Sequence, residues 1–296
     1  MKYRPAHHQR GVALLALVAL LALGGTWYLV SRLRDQSANA IAADVARNAQ
    51  ALNRAKQALI GYVIAQANHA NEDNPGALPC PEAPGSFNAT NGTDGKMASS
   101  CTLPAVGRFP WRSIGADKLV DAAGEPLWYV VSPNWGVTAP GANTVINSNS
   151  VGQLNIDGVA YTSQAPGDTV VGLIIAPGRA FSVPAAAGCG AWNQTDPVTG
   201  RKATSGVAPD WRNYLECENA TNPADANFVT GGPSGSFNDQ VVKVTVDDLM
   251  PGLEAAIADR MAREFIPALK TARYTGATWG LGAETMFPFE IGRAHV

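Results

Sequence analysis

Histidine is almost missing where chemistry would need it. The chain has four: His7 and His8 near the start, His69, and His295 near the end. The stretch that should form a globular body therefore contains none. A Ser-His-Asp triad, a Cys-His pair or a His-liganded zinc site cannot be built there. Charge is also scarce, at 16% of residues with a formal net charge of −2, so no basic surface for nucleic acid is expected. None of the four cysteines forms a CxxC pair, which removes the usual zinc and redox spacings. Gly232-Pro-Ser234-Gly-Ser236 looks like a hydrolase elbow, but Ser236 stands where the second flanking glycine belongs. The sequence predicts no enzyme, no metal and no cofactor. Proline is missing from one region as well, with none between Pro5 and Pro75, so nothing there breaks a long helix.

That proline-free region begins with a short leader, Met1–Gly11, containing Lys2, Arg4 and Arg10 and no acidic residue. Val12–Val30 (VALLALVALLALGGTWYLV) comes next. At about 1.5 Å per residue it is long enough to cross a hydrocarbon core of about 30 Å. The charge bias favours a cytoplasmic N-terminus and a body outside the cytoplasm, although Arg32 and Arg34 weaken it. A secretory signal cut near Ala22–Gly25 is the competing reading; Trp27 and Tyr28 make that site poor. Beyond Val30 the residues Ile41, Val45, Leu52, Leu59, Ile60 and Val63 recur at mostly helical spacing. One helix over residues 12–72 is expected, transmembrane over 12–30 and amphipathic after that. Gly24-Gly25 is its expected weak point.

The expected fold class is α+β: this helix packed on a loop-rich, mainly antiparallel body over 73–246, then a C-terminal helix over 247–274. Residues 75–112 read as irregular, as do 188–235. Strand candidates are Leu127–Ser132, Gln153–Tyr161, Val170–Ala176, Phe181–Val183 and Val241–Val246. Thr245, Asp247 or Asp248 can cap the last helix. Pro251 is expected in its first turn, and Pro267 should bend or split it. Residues 275–289 read as the start of a further segment. Glu290–Val296 (EIGRAHV) matches the translation of a sequencing-adapter read-through and is set aside from the fold.

Cys80, Cys101, Cys189 and Cys217 all come after the apolar segment and would oxidise outside the cytoplasm. Four cysteines allow three pairings; sequence-local closure favours Cys80–Cys101 with Cys189–Cys217. Two weaker readings remain open. Glu72, Asp73, Asn88, Asn91 and Asp94 could gather around calcium, although Asn88–Lys96 lacks the EF-loop pattern and reads better as a solvated turn. Trp111, Trp128, Trp135, Trp192 and Trp211 are core residues or a surface-binding platform, with Trp192 and Trp211 the best placed for binding.

Arg10-Gly11 before Val-Ala-Leu-Leu-Ala resembles the class III leader of type IV pilins and type II secretion pseudopilins. The resemblance implies cleavage by prepilin peptidase after Gly11 and methylation of the new N-terminus at Val12. The family's major subunits carry Glu at the fifth mature position, where this chain has Ala16. A methyl group cannot pair with a neighbour's terminal amine, so the resemblance points to a minor or tip subunit. Ala58-Leu-Ile-Gly-Tyr62, Leu78-Pro-Cys-Pro81, Phe109-Pro-Trp-Arg-Ser-Ile-Gly115, Gly124-Glu-Pro-Leu-Trp-Tyr-Val130 and Phe237-Asn-Asp-Gln-Val241 resemble, in order, motifs of uncharacterised proteobacterial prepilin-like proteins. These resemblances imply a structural subunit in the bacterial inner membrane with a periplasmic body. Its partners would be other pilin or pseudopilin subunits and the peptidase. The alternative is a membrane-tethered or tip-displayed binding module of adhesin type.

Overall fold

The computed structural model describes residues 10–69, 74–83, 93–136, 146–180, 182–183, 192–194, 214–216, 219, 226–231 and 237–275. The chain divides into two units, Met1–Arg47 and Asn48–Val296. A single helix, α1 (Arg10–Ala67), supplies the described part of the first and opens the second. With no proline inside it, α1 continues as helix through Gly24-Gly25, where the sequence predicts a weak point. It ends near Asn68, a few residues before the Asn-Glu-Asp-Asn-Pro turn sequence.

In the second unit, α1 buries one stripe: Ala51, Leu52, Ala55, Leu59, Val63 and Ala67. Their three- and four-residue spacing keeps them on one face, and the alanines allow close approach. Burying each large member stabilises the unit by about 1.5–3 kcal/mol. Ile41 and Val45, predicted to lie on this stripe, are instead exposed. The buried stripe starts three residues after Val45, at Asn48, whose Oδ1 accepts the Ala122 N–H at 2.6 Å.

Among the described residues eight strands come after it: β1 (Ala105–Arg108), β2 (Trp128–Val131), β3 (Asn155–Ile156), β4 (Val170–Ala176), β5 (Ser182–Val183), β6 (Trp192–Asn193), β7 (Asn227–Phe228) and β8 (Gln240–Thr245). The main sheet has the order β1-β2-β4-β8, and every pairing in it is antiparallel. β4 reads VVGLIIA and is buried throughout, as a central strand covered on both faces should be. Alternation sends Tyr129, Val131, Ile174 and Ala176 into the core shared with α1. It sends Trp128, Val130, Leu173 and Ile175 the other way, onto Leu154, Ile156, Tyr214, Leu215 and Phe228. That second layer also holds buried polar groups in mutual contact. Gln194 Nε2 donates to Glu216 Oε1 at 2.7 Å, Asn219 Nδ2 to Asp239 Oδ2 at 2.9 Å, and the Asn238 N–H to Glu216 Oε2 at 3.1 Å.

α2 (Val246–Arg260) returns across the sheet and buries Val246, Leu249, Met250, Leu253 and Ala256. Thr245 caps it: Asp248 Oδ2 accepts the Thr245 N–H at 2.8 Å and its hydroxyl at 3.0 Å. Pro251 lies one turn deeper than the sequence predicts, because the helix starts at Val246. A π turn over Met261–Phe265 separates α2 from α3 (Ile266–Thr275). The widened turn immediately precedes Pro267, whose ring cannot accept a regular turn beneath it. The split expected at this proline takes that form.

Expectations about the strands also need correction: β6 and β7 fall within residues 188–235, which read as irregular. β1 lies within residues 75–112, which read as irregular too; four residues containing a glycine carry too little periodicity to announce a strand. The sequence predicts a strand over Gln153–Tyr161, but only Asn155–Ile156 forms one. Asp157 and Gly158 both adopt positive φ, 55° and 76°, and turn the chain so that Ile156 bridges Val159. A 3₁₀ turn over Tyr161–Ser163 comes next.

Candidate functional site

Two features go beyond ordinary core packing. The first is the apolar half of α1. Leu15, Leu17, Val18, Leu20, Leu21, Leu23, Leu29 and Val30 are all exposed, with Leu20 at 69%. A soluble helix shows one apolar stripe; this one is apolar all round. The helix Leu15–Ala67 contains a window long and apolar enough to cross a membrane. Its hydroxyls are compatible with that solvent. Thr26 Oγ1 donates to the Leu23 carbonyl at 2.9 Å and Ser31 Oγ to the Tyr28 carbonyl at 2.8 Å, so neither seeks water.

The end of the apolar run is marked by a pair. Arg32 Nε donates to the Tyr28 hydroxyl at 3.1 Å, and its guanidinium carbon lies 5.4 Å from the Tyr28 ring centroid. An aromatic with a cation one turn later suits the boundary between hydrocarbon and water. Sequence reasoning uses Tyr28 and Arg32 separately; their four-residue spacing is the signal that joins them.

The second feature is a charged clasp where three of the ordered motifs meet. The disulfide Cys80–Cys101 ties the Leu78–Pro81 turn to the segment entering β1, with a sequence separation of 21. Within that loop Glu82 is buried, and its Oε2 lies 3.1 Å from Arg108 Nε at the end of β1. Glu82 Oε1 accepts the Gly95 N–H at 2.6 Å. Asp94 contacts Arg108 Nη2 at 3.4 Å and Lys118 Nζ at 2.7 Å. Arg112 Nε donates to the Asp94 carbonyl at 2.7 Å. Burial raises the Glu82 carboxyl above its ordinary range, with Arg108 opposing. Burial also pushes Asp94 upward, but Lys118 and Arg108 outweigh it and the net shift is down.

Close packing fixes the same place. Gly107 in β1 lies under Pro81: a Cβ there would sit 2.7 Å from the Pro81 Cβ. Gly95, at φ +78°, faces Trp111, whose indole ring occupies the place a Cβ would take. The Phe109 and Tyr129 rings meet edge to face at 5.9 Å.

The residues singled out in the sequence are distributed across the fold. Gly11 and Val12 lie in the first turn of α1 as backbone, and their side chains are outside the described residues, as is the leader 1–9. Ala16 is exposed on the apolar half. Cys80 and Cys101 are bonded to each other; Cys189, Cys217 and Trp211 lie outside the described residues, as does the Gly232–Ser236 turn. Trp192 falls in β6, its side chain likewise outside. Trp128 and Trp135 are core residues and Trp111 is half-buried. Asp94, weighed as a calcium ligand, is engaged by Arg108 and Lys118, whose positive charges oppose a cation there. Asp248 is engaged by the helix cap and by Lys56 at 2.7 Å. Among the described residues no three His, Cys, Asp or Glu side chains gather as a metal site. No family model, curated protein or solved structure matches this chain.

Proposed function

We propose that the chain is a minor subunit of type IV pilin or type II secretion pseudopilin type, held in the bacterial inner membrane by the first half of α1. The observation that carries the reading is the change of exposure along one helix. Residues of Leu15–Val30 are apolar and exposed, while Leu52, Leu59 and Val63 are sealed into the α+β body. An exposed apolar helical surface of this length needs lipid, or copies of similar helices, to cover it. The basic leader and Arg10-Gly11 supply the orientation and the processing site. Cleavage after Gly11 would leave Val12 as a free, methylated N-terminus at the head of the apolar half.

Ala16 refines the reading. A filament subunit with Glu at that position can register against its neighbour's amine in a low-dielectric setting. Ala16 cannot, which favours a tip or minor position over the filament shaft. The test is mass spectrometry of the N-terminus of the protein isolated from membranes of a host with prepilin peptidase. A methylated chain starting at Val12 is the expected result, and Gly11→Val should abolish it. An intact Met1 or a start near Gly25 would overturn the processing reading.

A further inference from the structure

We propose that one face of α1 at the end of its apolar half, formed by Trp27, Tyr28, Arg32 and Arg34, binds the phosphate of anionic phospholipids. The inference rests on the membrane reading of Leu15–Val30 and adds a ligand to it.

The face follows from helix geometry. At about 100° per residue, Trp27, Tyr28, Ser31, Arg32 and Arg34 fall within about 160° of the circumference. Leu29, Val30 and Leu33 fall together on the other side. Trp27, Tyr28, Arg32 and Arg34 are all exposed, Trp27 at 78%. A plain end to the apolar run would look the same from every side. Here headgroup chemistry begins at Trp27 on one face, while the opposite face stays apolar as far as Leu33.

Arg32 is set for a phosphate. Its Nε donates to the Tyr28 hydroxyl at 3.1 Å, and its guanidinium carbon lies 5.4 Å from the ring centroid. That bond uses one of the five N–H donors of the guanidinium. The Nη groups keep the planar fork that matches two oxygens of a phosphate. Holding the fork in place beforehand reduces the side-chain freedom lost on binding.

The two rings set the depth, because Trp and Tyr settle at headgroup level. A guanidinium four residues beyond Tyr28, about 6 Å further along the axis, then lies among the phosphates. Arg34 adds a second cation, two turns beyond Trp27 and close to the same line along the helix. Asp35 offsets one charge, so Ser31–Asp35 is net +1. An anionic headgroup answers that charge; a zwitterionic one carries its own cation beside the phosphate and gains less. The depth that the rings set favours a lipid over an acidic protein surface.

The test uses the full chain, purified in neutral detergent and equilibrated with equal amounts of phosphatidylglycerol and phosphatidylcholine of matched chains. Native mass spectrometry counts the lipids that stay bound. Lys2, Arg4 and Arg10, before the apolar run, also attract anionic lipid, so the decisive reading is a difference between proteins. Wild type should prefer phosphatidylglycerol, and Arg32→Gln/Arg34→Gln should lower that preference at least about fivefold. Tyr28→Phe keeps the ring but removes the acceptor, and should lower it about twofold. Inorganic phosphate at millimolar concentration should leave the ratio unchanged; a fall would make free phosphate the ligand and overturn the lipid assignment. An unchanged ratio in the double variant would overturn the proposal and leave the arginines to an acidic protein partner or to water. Carbonate extraction separates that result from failure of the membrane reading. Wild type and the double variant should both stay in the membrane fraction, and extraction of the wild type would overturn the span itself.

Discussion

Lys56 of α1 and Asp248 of α2 meet at 2.7 Å through Nζ and Oδ2, and the same oxygen accepts the Thr245 N–H that caps α2. One carboxylate thus fastens the helix start, the strand end and the neighbouring helix. Burial alone would raise its pKa, but Lys56 and the two Thr245 donors hold it below its ordinary 3.8. A carboxyl depressed in the folded state stabilises above the unfolded value, and that contribution is lost as pH falls through the folded one. Asp94 and Asp157 are lowered too, so stability should decline from about pH 4 downward. Lys56→Met should cost about 1 kcal/mol at pH 7 and reduce the steepness of that acid decline. Thermal melts of both proteins from pH 7 to 3 measure it; an unchanged acid slope would reject the role given to Lys56.

Two glycines separate strain from collision. Gly95 and Gly115 both adopt positive φ, +78° and +71°, but only Gly95 has a neighbour, the Trp111 ring, where a Cβ would go. Gly115→Ala should cost about 1–2 kcal/mol for the left-handed backbone alone. Gly95→Ala must add displacement of Trp111, costing about 1–3 kcal/mol more by the usual penalty for overpacking. Denaturant midpoints should rank wild type above Gly115→Ala and Gly115→Ala above Gly95→Ala, with Trp111 emission shifted only in the last. Equal losses would mean the ring moves freely.

Arg108 is 4% exposed and faces two carboxylates. Arg108→Met should cost about 3–5 kcal/mol near pH 7, because it strands the buried Glu82 charge. The sign of the pH dependence comes from Glu82, which burial already raises above 4.5. Without the opposing cation it rises further and takes up a proton more readily, so the loss should shrink as pH falls toward 4.5. Glu82→Gln on the Arg108→Met background should recover part of the stability. A penalty that stays constant with pH would assign the effect to lost packing of the arginine stem.

Legibility in the sequence depends on the length over which each signal repeats. α1 and β4 announce themselves because proline-free apolar periodicity and a seven-residue apolar run leave few alternatives. α2 is legible from Thr245 and Asp248 together with the apolar spacing beyond them. β1 is not, since its place is set by Glu82 on one side and β2 on the other. The clasp is hidden for the same reason. Glu82, Asp94 and Arg108 lie 12 to 26 positions apart, and contacts between residues distant in sequence, the disulfide and the Glu82–Arg108 backbone bond among them, bring them together. Ile41 and Val45 show the reverse error: helical spacing marks a face but does not say whether anything covers it.

Two leucines of α1 fall on opposite sides of that distinction and should respond oppositely to substitution. Leu59 is fully buried in the body and Leu20 is 69% exposed in the apolar half. Leu59→Ala should cost about 2–5 kcal/mol of body stability, read as a lower melting temperature in detergent. It should leave the protein in the membrane fraction, because Leu15–Val30 is untouched. Leu20→Lys should leave the detergent melt unchanged, since no buried contact is lost. It should instead weaken membrane retention, as a cation near mid-span costs about 2.5–3.5 kcal/mol on insertion scales. Carbonate extraction and the melt together give a two-by-two pattern. If Leu20→Lys destabilised the body, or left retention intact, Leu15–Val30 would be packing against protein rather than lipid.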